Sequence, residues 1–257
     1  MKLSLYLLLS AFAANMLFAV ATSKDSGPIT LEMLNVINPA AARSTFCKDF
    51  EKKQGVKGEC ILNSDAVAPI NKAIAKYKIT RLGEIAATLA WMLFESEGWH
   101  YVINHNPGNK GQGTRTMMSW AYVSKYAKEL YPDKYAKVIG KFSDDTSKAD
   151  NSTKTKVMDL VLNNDDSLAA GFWYLTKQAS SFHNKKDKLR TLNLKDFKDY
   201  TWNGIKADVS TDDNGKKQFT WEEGRTAKWN EVNKIIGKAK LKQLVTGSML
   251  SKRRRNH

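Results

Sequence analysis

The chain has 257 residues, 42% of them hydrophobic, two cysteines and a formal charge of +15. That size suits one domain with a sizeable core, and two cysteines with no histidine nearby exclude a zinc site. The positive balance favours anionic polymers such as cell walls, acidic membranes or nucleic acid, and counts against the polycation chitosan.

Residues 1–21, MKLSLYLLLSAFAANMLFAVA, combine Lys2, an apolar stretch and small residues at Ala19 and Ala21. They predict a secretory signal peptide cleaved after Ala21. Ser10 and Asn15 interrupt the apolar run and argue against a membrane anchor. No later stretch is apolar enough to span a bilayer, so a soluble, exported, extracellular protein is expected. Residues 22–250 are expected to form one domain and 251–257 a basic tail containing Lys252, Arg253, Arg254 and Arg255. Such a tail reads as solvated, or as a processing site or an anionic-surface contact. In an oxidising compartment Cys47 and Cys60 are expected to form a disulfide, worth roughly 3 kcal/mol by loop entropy.

Short helical patterns cover 30–42 and 65–77. The stretch TRLGEIAATLAWMLFES is the strongest element. Leu82, Ile85, Ala86, Leu89, Leu93 and Phe94 recur at helical spacing, with Thr80 as N-cap. This helix is apolar nearly all round and should be buried, stopping near Ser96–Gly98. A Pro- and Gly-containing loop follows, NHNPGNKGQG. MMSWAYVSKYAKELY predicts a helix, and another runs from Pro132 through Val138 and Ile139. SDDTSKADNSTKTK reads as a polar loop and holds the glycosylation sequon Asn151-Ser152-Thr153. Residues 156–182 predict one or two buried helices with a break near Asn163–Asn164. STDDNGKK reads as a turn joining two short strands, and EEGRTAKWNEVNKIIGKAKLKQLV closes with an amphipathic helix. The fold class is mainly α with a small β element, in one domain, and a monomer is expected.

The buried helix ends in two acids, Glu95 and Glu97. Glycoside cleavage needs a carboxylic acid that keeps its proton near neutral pH. An apolar run and the negative end of a helix dipole both favour that form at Glu95. Residues two apart lie about 200° apart on a helix, so the two acids cannot both face one way. Glu95 continues the apolar stripe, four residues after Trp91, and is the candidate acid. Glu97 reads as rim or surface. The competing reading of Glu95 is a capping or ion-paired glutamate, with Arg115 as its partner. Between Gly98 and Lys128 no acid occurs. That stretch holds flat rings for stacking and amides for hydroxyls, among them Trp99, Tyr101, Asn104, Gln112, Thr114 and Arg115.

The segment FESEGWHYVINHNPGNKGQGTRTM resembles a motif of fungal secreted proteins of the lysozyme-like superfamily. Shared positions include Glu95, Ser96, Gly98, Trp99, Tyr101, Asn104, Gln112, Thr114, Arg115 and Met117. The resemblance extends more weakly over residues 45–240. It implies a lysozyme-like domain in which Glu95 is the general acid. Trp99, Tyr101, Asn104, Gln112, Thr114 and Arg115 would then be substrate contacts. Relatives usually carry a small residue where Glu97 stands and often a polar one where Met118 stands. The implied activity is a glycosidase or lytic transglycosylase on N-acetylhexosamine polymers, peptidoglycan or chitin. A lysozyme-like protein that binds sugar without turnover is the alternative. A second carboxylate would come from Asp165, Asp166, Glu222 or Glu223. It is dispensable if, as in lytic transglycosylases, the sugar's own hydroxyl attacks. No metal, cofactor or nucleic-acid partner is expected.

Overall fold

The structure, a computed structural model, describes residues 27–185, 187–206, 209–211, 217–219 and 222–255. The leader expected at 1–21 and most of the STDDNGKK turn lie outside the described residues.

The domain is built on α-helices: α1 (Leu31–Ile37), α2 (Phe46–Gln54), α3 (Asn63–Lys76), α4 (Leu82–Glu95), α5 (Trp120–Leu130) and α6 (Pro132–Ile139). After these come α7 (Asn151–Asp159), α8 (Asn164–Trp173), α9 (Ser180–Asn184), α10 (Leu194–Asp199) and α11 (Glu222–Arg255). Two short strands, β1 (Val209–Thr211) and β2 (Lys217–Phe219), pair antiparallel with Ser210 opposite Gln218. Among the described residues no helix is long and apolar enough to cross a membrane.

Helix α4 is the centre of the core. Every residue from Gly83 to Leu93 is buried, because α4 is flanked by α8 and α11, while α3 lies along α8. Trp91 meets the edges of Tyr174 and Tyr200, and Phe197 stacks on Trp229 to tie α10 to α11. Tyr174–Gln178 and Tyr200–Gly204 are single π-helical turns, and the Tyr174 hydroxyl donates to the carbonyl of Gly204.

Several boundaries differ from the sequence reading, each for a local reason. The pattern at 30–42 breaks at Asn38, because the residue before Pro39 is turned out of the helical region. The N-cap of α4 is Arg81 rather than Thr80 and makes no side-chain cap bond. Its guanidinium donates instead to the carbonyls of Lys185 and Lys188. The second half of the polar loop is α7, started by Asp150, whose carboxylate accepts from the Thr153 amide at 2.7 Å. Asn163 caps α8 in the same way, accepting from the Asp166 amide, which explains the predicted break. The closing helix does not stop near Val245 but continues to Arg255, through most of the basic tail. The disulfide between Cys47 and Cys60 is formed and joins α2 to the irregular segment before α3.

The end of α4 is a Schellman motif. Gly98 donates to the carbonyl of Leu93 at 2.8 Å and Glu97 to that of Phe94 at 3.2 Å. Glu97 therefore occupies the left-handed position, with φ +49°, where glycine is preferred. This is why a small residue suits the position and why Glu97 is unusual there. Glu97→Gly is expected to raise stability by about 1 kcal/mol, seen as a higher urea midpoint. An unchanged or lower midpoint would mean that the glutamate side chain makes a compensating contact.

Candidate functional site

Glu95 is the last residue of α4, one turn after the buried Trp91. Its Oε1 accepts from Nη1 of Arg225 on α11. The pair is largely shielded, with side-chain exposures of 19% for Glu95 and 10% for Arg225. The Arg225 guanidinium lies over the Phe94 ring, 4.6 Å from its centroid, a cation–π contact on the same helix end. The chain comes this close because Gly224 precedes Arg225. A Cβ at Gly224 would fall 2.8 Å from the Phe94 ring. The ion-pair partner of Glu95 is thus Arg225, and not Arg115 as the sequence suggested. Arg225 is 130 residues away in sequence, so no local pattern could have revealed it.

The acid-free loop has a different role from the one expected of it. Arg115 is 1% exposed. Its Nη1 donates to the carbonyls of Trp99 and Tyr101, both at 2.9 Å, and its Nη2 to the carbonyl of Glu59. Desolvation lowers its pKa to about 10, and the nearby Glu59 charge works against that shift. The Glu59 carboxylate accepts from the amides of Val102 and Ile103 and contacts His105 Nε2 at 2.7 Å. Glu59, next to the disulfide, and Arg115 together fasten residues 99–105 to the body of the protein.

Trp99 is fully buried, and its indole N–H donates to Asn63 Oδ1 at 3.1 Å. Thr114 is also fully buried and shares a hydrogen bond with Thr116. Trp99, Thr114 and Arg115, expected as substrate contacts, therefore present no free face to a ligand in this structure. Gln112 ties the loop together, donating to the Met117 carbonyl and accepting from Asn109. Asn104 accepts from the Gly108 amide. Both remain partly exposed, as does Tyr101, whose ring meets the edge of Phe50. His100 is sandwiched between Phe46 and Phe50, and burial lowers its pKa.

Left-handed backbone is concentrated here. Of seven non-glycine residues with positive φ among those described, Glu97, Trp99, Thr114 and Met117 lie in this segment. Such conformations persist only where the surroundings over-determine them, and the Glu59–Arg115 clasp supplies that constraint.

Two of the four candidate second acids are engaged elsewhere. Asp165 pairs with Lys72 on α3. Asp166 accepts from the Tyr131 hydroxyl and from Asn163. Glu223 is exposed, and the side chain of Glu222 lies outside the described residues. Asn151 stands exposed at the first position of α7, so the sequon is open to solvent. Among the described residues no group of three or more His, Cys, Asp or Glu could hold a metal ion.

No family model and no solved structure matches the chain. Among curated proteins it is 51% identical over 47 residues to a bifunctional dioxygenase–epoxy alcohol synthase of Fusarium oxysporum (strain Fo5176). The match takes in 18% of this chain and 4% of that protein. So short a shared segment establishes neither a family nor an activity.

Proposed function

We propose that this is a secreted lysozyme-like protein acting on N-acetylhexosamine polymers, peptidoglycan or chitin, with Glu95 as its acid–base group. The observation that carries this reading is the position of Glu95. It is an acid at the end of a helix buried from Gly83 to Leu93, reached by solvent, and fixed by Arg225. The net charge of +15 suits the anionic walls of bacteria. In its protonated form Glu95 would give its proton to the glycosidic oxygen as the C1–O bond breaks. The carboxylate would then take a proton from the attacking group. That group is water in hydrolysis, or the sugar's own hydroxyl in lytic transglycosylation. The ion pair with Arg225 must open for Glu95 to carry the proton it donates, and it re-forms around the anion left by the first step; one carboxylate is enough for the second route.

Binding without turnover is the second reading, favoured by one specific finding. Trp99, Thr114 and Arg115 are used inside the protein, which removes half of the expected substrate contacts. Glu95→Gln separates the two, because glutamine can still accept from Arg225. The assays are release of reducing ends from chitin oligomers and clearing of bacterial wall suspensions. A wild-type rate that falls at least about 100-fold in Glu95→Gln, with sugar binding retained, supports the acid–base role. Undiminished turnover in Glu95→Gln would remove Glu95 from the chemistry. Sugar binding by both proteins with turnover by neither would select the binding reading.

A further inference from the structure

The opposite end of α4 carries a second group of polar residues, around a surface pocket of about 450 Å³. Its lining is Lys78, Thr80, Arg81, His183, Asn184 and Arg190. Three of these are cations and none is an acid. Close by is Glu84, a carboxylate with no exposure at all. Its Oε1 accepts from Arg81 and from His183 Nδ1, the latter at 2.7 Å, and its Oε2 has no hydrogen-bond partner. Arg81 also donates to the carbonyls of Phe182, His183, Lys185 and Lys188.

This arrangement sorts the charges. Glu84 answers Arg81, whose donors are already taken by the protein. Lys78 and Arg190 form no ion pair among the described residues. Holding a carboxylate this deep is costly, and an apolar side chain would fill the same space more cheaply. What Glu84 provides that an apolar side chain cannot is a fixed imidazole. With Nδ1 bound to Glu84, the ring nitrogen left for a ligand is Nε2.

The walls are fixed as well. A Cβ at Gly83 would lie 2.4 Å from the carbonyl oxygens of both Leu189 and Thr191. Only glycine lets the loop bearing Arg190 press onto α4 in this way. Lys78 and Leu189, one on each side, both have left-handed backbone, with φ +52° and +46°. Strained backbone on two converging segments is a feature of ligand clamps.

We propose that this pocket binds a phosphate monoester, its phosphoryl group held by Lys78 and Arg190, with the His183 ring on the wall beside them. Two uncompensated cations match a dianion. The Arg190 guanidinium offers the fork that suits phosphate oxygens, and the amino end of α4 adds a favourable dipole. The volume lies within the roughly 300–1,000 Å³ of small-molecule sites and leaves room for the group that carries the phosphate. The site stands apart from Glu95, at the far end of a helix about 20 Å long.

The test is titration calorimetry of the full folded chain with glucose 6-phosphate, inorganic phosphate and acetate. Glucose 6-phosphate should saturate one site at least tenfold more tightly than either small anion. Lys78→Gln and Arg190→Gln should each weaken it tenfold or more, and the double variant should abolish it. Both residues are exposed, so the variants should keep the wild-type circular dichroism spectrum, and Glu95→Gln should bind as the wild type does. Absence of saturable binding, equal affinity for acetate, or binding that survives in the double variant would overturn the proposal. Inorganic phosphate binding as tightly as the sugar phosphate would overturn its assignment to a monoester.

Discussion

Replacing Arg115 by methionine is expected to cost about 3–5 kcal/mol of stability, the range for breaking a buried charged network from one side. The guanidinium holds the carbonyls of Glu59, Trp99 and Tyr101 in a space closed to water. Methionine fills much of that volume but leaves the carbonyls of Glu59 and Tyr101 without their donors, while that of Trp99 keeps only the Ile61 amide, and it removes a charge that interacts with Glu59. A domain's whole stability is about 5–15 kcal/mol, so the loss should show as a large drop in the urea midpoint. Arg115→Lys should fall between the two, because a single ammonium cannot serve carbonyls on both arms of the fork. The experiment also separates the two roles given to this residue. A groove contact would lose substrate affinity with stability intact, whereas a clasp loses stability first. A wild-type midpoint in Arg115→Met would return Arg115 to the list of surface groups.

The contrast between Glu95 and Arg115 shows what was legible in the sequence. The helical period of residues 82–95 and its all-round apolar character were enough to predict a buried α4 and an acid at its end. The cysteine count and spacing gave the disulfide. The break at Asn163 was readable because capping is local chemistry, within three residues. The function of the loop was not readable, because Trp, Thr and Arg in a polar stretch look alike whether they face a ligand or the interior. Only the burial of Arg115 and its bonds to residues 14, 16 and 56 positions away decide between the two. Glu59 escaped notice for the same reason. Its value lies in the amides of Val102 and Ile103, which no spacing rule connects to it. Glu84 was hidden inside the apolar period it interrupts, and its partner His183 is 99 residues away.

Raising the pH above about 10 is expected to unfold the protein steeply, because several phenols are protonated in the fold and ionised in the unfolded chain. Burial is the leading cause in each case. It pushes Tyr77 up to about 12 and raises Tyr126, Tyr174 and Tyr200 well above the ordinary phenol value. Tyr126 is held further by its hydrogen bond to the Asp166 carbonyl, and Tyr200 lies near Tyr174 and Glu84. These groups have folded pKa values above their unfolded value of about 10. Their stabilisation is complete below pH 10 and is lost as the pH rises through the folded values. Above pH 10 the unfolded chain binds fewer protons, so each phenol removes about 1.4 kcal/mol per pH unit. Arg115 acts in the opposite sense. Its folded pKa of about 10 lies below the ordinary arginine value of 12.5, so between those values it offsets about one phenol. The net slope should be about 4 kcal/mol per pH unit, enough to unfold a domain of ordinary stability within a few units. Tyrosinate absorbance and circular dichroism should therefore change together for these residues. Phenols that ionise near pH 10 while the dichroism stays native would contradict their burial. Tyr200→Phe gives the sharper check. Its hydroxyl is buried without a hydrogen-bond partner, so removing it should leave neutral stability unchanged or higher and move the alkaline midpoint upward. A lower midpoint would mean that the hydroxyl has a partner in solution.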